Sequence, residues 1–257
     1  MHFPPSEYLR LVAFDLDDTL APSKMPLDTE MAAALARLLN SYEAAVISGG
    51  QLSQFQSQVL SRLADQPVPK HTLHLLPTCG TQYYRMEPGS SPDELVRVYR
   101  RDLAADLRRQ TVETIETTAR ELGFWESSPW GNIIEDRGTQ VTFSALGQQA
   151  PLAAKRAWDP DGSKKAALVQ ALGKQLPQLE VRSGGATSVD VTARGVDKAY
   201  GIRSLMESTG YTPLNLVFLG DRLDERGNDY PVLATGVPCQ AVSSPADTLS
   251  WLRRLLA

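Results

Sequence analysis

The sequence predicts an α/β fold in which a Rossmann-like core with a parallel sheet is interrupted by an inserted α+β cap domain. Towards both ends of the chain, short apolar segments alternate with helical segments, as expected for parallel strands joined by helical crossovers. In the middle this alternation stops, and the pattern of an antiparallel hairpin takes its place. We therefore expect residues 1–81 and 188–257 to form the core and residues 82–187 to form the cap.

The first part of the predicted core alternates strand and helix. The apolar run LRLVAF at residues 9–14 predicts a short buried strand, and residues 29–40 carry the apolar stripe of a helix. A second buried strand is predicted at residues 43–47, followed by a helix at 52–63 and a strand at 73–76. The first two strands end at polar, turn-forming residues. Functional side chains are therefore expected at that edge of the sheet.

The middle of the chain and its last part differ in pattern. A long helix is predicted at residues 101–122, and two strands flank the turn Asp136-Arg137-Gly138-Thr139, which is typical of an antiparallel hairpin. Ser163 is predicted to cap the helix that follows it. The remaining predicted elements are strands at 132–135, 140–145, 179–182, 187–191, 214–219 and 239–242, and helices at 164–175, 198–209, 227–234 and 247–256.

The composition argues against binding to nucleic acid or insertion into a membrane. The 257 residues include 26 Lys and Arg against 30 Asp and Glu, a formal charge of −4, whereas nucleic-acid binding usually requires a basic surface. No segment approaches the ~20 apolar residues of a membrane helix, and no signal peptide is evident. Cys79 and Cys239 are too few for a disulfide scaffold. We expect reduced thiols and a cytoplasmic location.

The run Asp15-Leu16-Asp17-Asp18-Thr19 directly follows the first apolar strand. Carboxylates this close together repel one another, and a divalent cation such as Mg²⁺, which prefers oxygen ligands, relieves the repulsion. A carboxylate is also a nucleophile towards phosphorus, and a second carboxyl group can transfer the proton of the leaving oxygen. The run thus predicts phosphoryl transfer with Asp15 as the nucleophile. The alternative is an acidic turn in which Thr19 caps a helix.

Three further pieces lie at strand ends or helix starts. Ser48, Gly49 and Gly50 follow the second strand, where a hydroxyl and free N–H groups suit a phosphate oxygen, although a helix cap explains them equally well. Lys198 opens a helix at its electropositive end, which suggests an anion nearby, although a solvated lysine is the simpler explanation. Asp221 follows a buried strand and is a natural metal ligand. Asp229, in the pair Asn228-Asp229, is predicted to hold Lys198 or a metal-bound water.

Taken in order, these motifs resemble those of the haloacid dehalogenase superfamily of phosphatases and phosphomutases. The resemblance implies that Asp15 is the nucleophile, that Asp17 is the general acid and base, and that Thr19, Ser48 and Lys198 stabilise the transferring phosphoryl group. It also implies that Mg²⁺ binds the Asp15 side chain, the Asp17 backbone carbonyl and Asp221.

The position of the insertion, between the Ser48 and Lys198 motifs, is similar to the type IIB capped branch of that superfamily. The spacing between Asp221 and Asp229, and the stretch GGATSVDVTARGVDK at residues 184–198, resemble eukaryotic-type phosphomannomutases. In that family several cap arginines hold the distal phosphate of the sugar. Arg137 matches the first of them, whereas Gln148 and Lys155 stand where two others are expected. The further substrate-binding residues implied by the resemblance are Lys24, Gly49, Lys155, Ser188 and Asp190.

These departures favour hydrolysis of the substrate over transfer of its phosphoryl group to another position of the sugar. Arginine binds phosphate through a planar two-donor fork, lysine offers a point charge, and glutamine offers no charge. We therefore predict a Mg²⁺-dependent phosphohydrolase that acts on a small phosphorylated metabolite, a sugar phosphate, through an aspartyl-phosphate intermediate. The alternatives are a phosphomannomutase-type hexose-phosphate mutase and a non-catalytic sugar-phosphate binding protein. The predicted assembly is a monomer or a homodimer formed through the cap.

Overall fold

The computed structural model describes residues 7–64, 66, 68–87, 94–225 and 227–257. Residues 1–6 of the predicted core and 88–93 of the predicted cap lie outside this set. The described strands are β1 (Leu11–Asp15), β2 (Glu43–Ile47), β3 (Leu73–Leu76), β4 (Gln82–Met86), β5 (Leu95–Arg100), β6 (Ile134–Asp136), β7 (Gln140–Ser144), β8 (Leu179–Ser183), β9 (Ser188–Ala193), β10 (Leu216–Gly220) and β11 (Cys239–Ala241).

Helices connect most of these strands. The α-helices are α1 (Thr29–Leu39), α2 (Leu52–Phe55), α3 (Ser61–Leu63), α4 (Ala105–Glu121), α5 (Leu152–Trp158), α6 (Ser163–Gln175), α7 (Lys198–Thr209) and α8 (Pro245–Leu255). A π-helical segment, Gln56–Leu60, joins α2 to α3. Short 3₁₀ segments occur at Lys70–Thr72, Thr78–Gly80, Pro213–Asn215 and Tyr230–Thr235. In the described part of the chain, no helix is both long and apolar enough to cross a membrane.

The chain divides into two compact units. The core unit comprises Met1–Arg100 and Asp197–Ala257, and the inserted unit comprises Arg101–Val196. The sequence instead placed the boundaries after residues 81 and 187. They lie further along the chain because β4 and β5 continue the core sheet from β3, and because β9 pairs with β7 and β8 of the insertion.

The core unit is built on a seven-stranded sheet of order β11-β10-β1-β2-β3-β4-β5. The strands from β11 to β3 are parallel, and β4 and β5 are antiparallel. All five residues of β1 are buried, as its continuous apolar sequence predicts for a central parallel strand. Parallel pairing places the carboxyl ends of β1, β2 and β10 at one edge, so that the residues after each strand lie close together.

The inserted unit contains a four-stranded antiparallel sheet of order β6-β7-β9-β8. The predicted hairpin is confirmed, since β6 and β7 pair in antiparallel register. Along β7, Val141 and Phe143 alternate with polar residues and pack in one apolar cluster with Ile115 of α4 and Leu168 of α6. The other side chains of β7, Gln140, Thr142 and Ser144, are therefore on the opposite face of the sheet.

Several local predictions are wrong in instructive ways. Ser163 does not cap α6 from the preceding position; it is the first helical residue, and its hydroxyl donates to Asp161. The carboxylate of Asp159 accepts hydrogen bonds from the Lys164 and Lys165 N–H groups instead. The helix predicted at 52–63 is interrupted by its π-helical segment. Helix α5 was not predicted.

Candidate active site

The centre of the candidate site is a buried ion cluster in the core unit. Asp15 is the last residue of β1, and Lys198 is the first residue of α7. The Lys198 Nζ atom lies 2.5 Å from Asp15 Oδ1 and 2.5 Å from Asp229 Oδ1. All three residues are at most 4% exposed. The structure thus brings together residues that are 183 positions apart in the sequence.

The start of α7 is fixed so that Lys198 reaches this cluster. The Asp197 carboxylate accepts a hydrogen bond of 2.8 Å from the Tyr200 N–H, which caps the helix. One turn further on, Gly201 lies against the backbone of Cys79, and a Cβ atom there would meet the Cys79 carbonyl oxygen at 2.7 Å. The unfavourable position of a lysine at a helix N-terminus is thus explained by two carboxylates within hydrogen-bond distance.

Burial and mutual charge govern the ionisation of the cluster. Burial raises the pKa of the Asp15 carboxyl well above its ordinary value, and the neighbouring Asp229 and Asp221 raise it further, while Lys198 opposes the rise. Burial also raises the pKa of Asp221. For Lys198, burial alone would lower the pKa, but contact with Asp15 and Asp229 raises it above the ordinary lysine value. Lys198 is therefore a cation at neutral pH.

The residues around Asp15 fit a divalent cation. Asp15, Asp221 and Asp229 each offer a carboxylate oxygen, and these atoms lie within 4.8 Å of one another. Among the residues that the structure describes, these three carboxylates face one lysine, so excess negative charge remains for a cation to neutralise. Hard oxygen ligands of this kind suit Mg²⁺. The Thr19 hydroxyl lies 3.4 Å from both Asp15 Oδ2 and Asp221 Oδ1, between two of the carboxylates.

Asp229 is fixed by the loop that follows β10. Its second carboxylate oxygen accepts a hydrogen bond of 3.0 Å from the Arg222 N–H. The same carboxylate packs against Gly220, where a Cβ atom would lie 2.6 Å from Asp229 Cγ. The predicted contact between Asp229 and Lys198 is therefore present, whereas the neighbouring Asn228 is exposed.

Ser48 follows β2 and is buried beside a strained turn. Its hydroxyl accepts a hydrogen bond from the Gly50 N–H, and its carbonyl accepts one from Cys79. Thr78, Cys79 and Gly80 all have positive φ, between 49° and 81°, an unfavourable conformation for the first two. Sequence reasoning missed this turn, although the glycine after β3 was a signal for it. The turn supports the Ser48–Gly50 segment from the neighbouring strand.

Asp17 is half-buried and its carboxylate is held by amide donors. Asp17 Oδ1 accepts a bond of 2.7 Å from the Lys24 N–H, and Asp17 Oδ2 accepts one of 2.9 Å from Gln54 Nε2. Gln58 Nε2 lies 3.4 Å from Asp17 Oδ1. Neither glutamine was predicted to contribute to the site. Lys24 is exposed, and its contact with Asp17 is through the backbone.

The family model for eukaryotic phosphomannomutase matches residues 31–257, which is most of the chain. The chain belongs to the eukaryotic phosphomannomutase family. It is 26% identical to phosphomannomutase from Saccharomyces cerevisiae, over 95% of this chain and 93% of the yeast protein. It is 24% identical to human phosphomannomutase 1, over 95% of this chain and 91% of the human protein.

The solved structures that this family member resembles have the haloacid dehalogenase fold. A haloacid dehalogenase-like hydrolase from Bacteroides thetaiotaomicron aligns with a TM-score of 0.64 at 14% identity, over 96% of this chain and 99% of that one. N-terminally truncated IMP-nucleotidase from Plasmodium falciparum aligns with a TM-score of 0.69 at 15% identity, over 97% and 71%. These similarities confirm the predicted fold class, with its parallel-rich central sheet and additional antiparallel sheet.

The inserted unit of this phosphomannomutase-family chain carries a polar network on β7 and β9. Asp190 Oδ1 accepts hydrogen bonds from Gln140 Nε2 at 2.8 Å and from Thr142 Oγ1 at 2.7 Å. The Ser188 and Ser144 hydroxyls lie 3.2 Å apart. These groups can bind the hydroxyls of a sugar. The predicted roles of Ser188 and Asp190 in substrate binding remain predictions.

The three positions where the family resemblance led us to expect arginines differ in their contacts. Arg137 is largely buried and forms an ion pair of 2.7 Å with Glu135. Gln148 Nε2 donates to Ser144 Oγ at 2.9 Å, and Lys155 Nζ donates to the Gln148 carbonyl at 2.8 Å. Gln148 thus carries no charge, and one Lys155 proton is directed to the backbone beside it.

Proposed function

We propose that the protein is a hexose-phosphate mutase of the phosphomannomutase type, which acts through phosphorylation of Asp15. The observation that carries the proposal is the buried contact of Asp15 with Lys198 at the end of β1, in a chain that belongs to this family. The sequence alone favoured hydrolysis, and family membership favours the mutase that was its alternative. The substrate in this proposal is a small phosphorylated sugar.

In the proposed reaction, a carboxylate oxygen of Asp15 attacks the phosphorus atom while Asp17 transfers a proton to the departing sugar oxygen. Lys198 neutralises charge beside Asp15, and the hydroxyls of Thr19 and Ser48 donate to the transferring oxygens. Positioning and charge stabilisation of this kind provide most of the rate gain in phosphoryl transfer. Asp17 then removes the proton from the acceptor, which is a sugar hydroxyl in a mutase and water in a phosphatase.

The carboxylates of Asp15 and Asp221, with the Asp17 carbonyl, would hold Mg²⁺. When bound, the cation would neutralise charge on the phosphoryl oxygens and the carboxylates. We expect a chelator to abolish turnover, added Mg²⁺ to restore it, and Asp221→Asn to raise the half-saturating Mg²⁺ concentration at least about tenfold. Asp224→Asn, which changes an exposed carboxylate in the same loop, is the matched control. Full activity in excess chelator would contradict this assignment.

A sugar-phosphate phosphatase is the second candidate, and a specific observation favours it. A mutase must retain a bisphosphorylated intermediate while it turns around, and arginine forks serve that purpose. Here the side chain of Gln148 contacts Ser144, and the side chain of Lys155 contacts the Gln148 carbonyl. With fewer guanidinium groups on the distal phosphate, the intermediate is held less tightly. Water then competes more readily with the sugar hydroxyl as the acceptor of the phosphoryl group.

The product distinguishes the two candidates. With mannose 1-phosphate, a hexose bisphosphate activator and Mg²⁺, we expect mannose 6-phosphate to form faster than free phosphate, by at least about tenfold if bound intermediate is efficiently retained. Both products are measured in one reaction, by ³¹P nuclear magnetic resonance, with Asp15→Asn as the blank. If free phosphate is the main product, the mutase proposal is wrong and the protein is a sugar-phosphate phosphatase. No Asp15-dependent product from a panel of sugar phosphates would favour a non-catalytic binding protein.

Two further features follow from this proposal. A mutase of sugar phosphates acts on cytoplasmic metabolites, so we propose a cytoplasmic location. The proposed assembly is a monomer or a homodimer formed through the inserted unit.

A further inference from the structure

The carboxylate of Asp17 is held from one side by the helical segment that follows β2. Gln54, on α2, donates from its Nε2 to Asp17 Oδ2 at 2.9 Å. Gln58, on the π-helical segment, approaches Asp17 Oδ1 at 3.4 Å, and the Lys24 N–H donates to the same oxygen at 2.7 Å. Every one of these partners is a hydrogen-bond donor.

Gln58, on the π-helical segment, connects Asp17 with the loop between β1 and α1. Gln58 is only 2% exposed, and its Nε2 also donates to the Met25 carbonyl at 2.6 Å. Its backbone carbonyl accepts a bond from the Leu27 N–H. Both neighbours of the amide nitrogen are acceptors, so the amide cannot be reversed, and its Oε1 is left buried with no partner among the described residues. Single π-helical turns are frequent at functional sites.

Gly50 makes room for Gln54. A Cβ atom at Gly50 would lie 2.7 Å from Gln54 Cδ, so only glycine lets the amide lie against this turn. The Gly50 N–H is also the donor to the Ser48 hydroxyl. Gln54 therefore connects the turn that carries Ser48 with the carboxylate of Asp17.

The bonds differ between the two oxygens of Asp17. Each carboxylate oxygen has about two lone pairs. Lys24 N–H and Gln58 Nε2 occupy the two positions of Oδ1, whereas among the described residues Oδ2 accepts only from Gln54. The open lone pair of the Asp17 carboxylate is therefore on Oδ2, and the Gln54 amide fixes its direction.

We propose that Gln54 is a positioning residue, which orients Asp17 Oδ2 as the atom that gives and takes the proton. This inference rests on the proposed phosphoryl transfer with Asp17 as the general acid and base. Proton transfer depends on the geometry of the donor relative to the leaving oxygen. Removal of the amide should therefore impair those reactions that need a proton on the leaving group, and spare those that do not.

The test compares two leaving groups. A sugar alkoxide is a strong base and needs a proton to depart, whereas p-nitrophenolate departs without one. For Gln54→Met, which keeps the side-chain length and removes the donor, we expect kcat/KM for mannose 1-phosphate to fall about 10- to 100-fold, a part of the roughly 10²- to 10⁴-fold that a correctly placed general acid contributes. We expect kcat/KM for p-nitrophenyl phosphate to stay within about twofold, because kcat/KM reports the steps up to departure of the leaving group.

Two further variants keep the test decisive. Gln56→Met, at an exposed position of the same π-helical segment, should leave both values unchanged. Gly50→Ala keeps the Gln54 amide but pushes it away from Asp17, and it should reproduce the selective loss if Gln54→Met fails to fold. Equal losses for the two substrates, or no loss, would disprove the positioning role of Gln54 and leave the proposed function standing. Absence of Asp15-dependent turnover in the unaltered protein would overturn the proposed function and this role with it.

Discussion

Asp15→Asn is expected to abolish phosphoryl transfer, with a loss of about 10⁴-fold or more in kcat. The amide has the shape of the carboxylate but is no nucleophile towards phosphorus, and no aspartyl phosphate can form. The loss should be equal for sugar phosphates and p-nitrophenyl phosphate, because every substrate passes through the same attacking atom. The measurement is phosphate release and p-nitrophenolate release at saturating substrate and Mg²⁺.

The Asp15→Asn variant is expected to remain folded, so that its loss of activity cannot be attributed to unfolding. In the variant, Lys198 keeps its ion pair with Asp229, and the repulsion between Asp15 and the neighbouring carboxylates of Asp229 and Asp221 is removed. The variant should therefore unfold at a temperature close to that of the unaltered protein. Asp224→Asn, on the exposed loop after β10, should keep full activity. Substantial turnover by Asp15→Asn would show that another residue is the nucleophile.

The sequence allowed most of the core site to be predicted because the relevant signals are local. A continuous apolar run predicts a buried parallel strand, and the residue after it must lie at the carboxyl edge of the sheet. Asp15, Ser48 and Asp221 were located on that basis, and the structure places each at its strand end. The contact of Lys198 with Asp229 was one of the two roles predicted for Asp229, the other being to hold a metal-bound water.

The features that were missed depend on tertiary packing. Nothing in the local pattern distinguishes a π-helical turn from an α-helix, so the contact of Gln58 with Asp17 was not predicted. The contact of Gln54, on α2, joins residues 37 positions apart and leaves no local signal either. The left-handed conformation of Thr78 and Cys79 is imposed by neighbouring segments and runs against the preference of those residues. Ser163 met the rule for an N-cap, but Asp159 lies closer in space to the free N–H groups of α6.

The domain boundaries were misplaced for a related reason. Residues 82–86 and 95–100 lack the apolar character of the parallel strands, because they form antiparallel strands towards the edge of the sheet and β5 is largely exposed. Their composition differs from that of the parallel strands and therefore predicts that the insertion begins there. Pairing partners, which lie elsewhere in the chain, decide which sheet a strand joins, and composition alone does not record them.

Lys198→Met is expected to abolish activity and to lower the free energy of unfolding by about 3–5 kcal/mol. The substitution keeps the length of the side chain and removes the charge. Asp15 and Asp229, both at most 4% exposed, would then share their buried site without the cation that lies 2.5 Å from each. Urea unfolding followed by circular dichroism measures the loss. Lys24→Met, at an exposed lysine, is the matched control for stability and should change it little.

The same variant has an expected pH dependence that tests the cause of the loss. A carboxyl group whose pKa is raised by folding adds stability below its unfolded pKa, and this contribution is lost as the pH rises through the folded pKa. Burial raises the pKa of Asp15 and Asp221 even with Lys198 present, and removal of Lys198 removes the opposing charge. The stability lost in Lys198→Met should therefore shrink as the pH falls from about 7.5 to about 5. Combining Lys198→Met with Asp15→Asn should restore part of the stability at neutral pH, because one of the uncompensated carboxylates is then absent. A loss that is independent of pH and unchanged by Asp15→Asn would mean that Lys198 stabilises the fold through packing of its side chain, and that the buried cluster is not held together by charge.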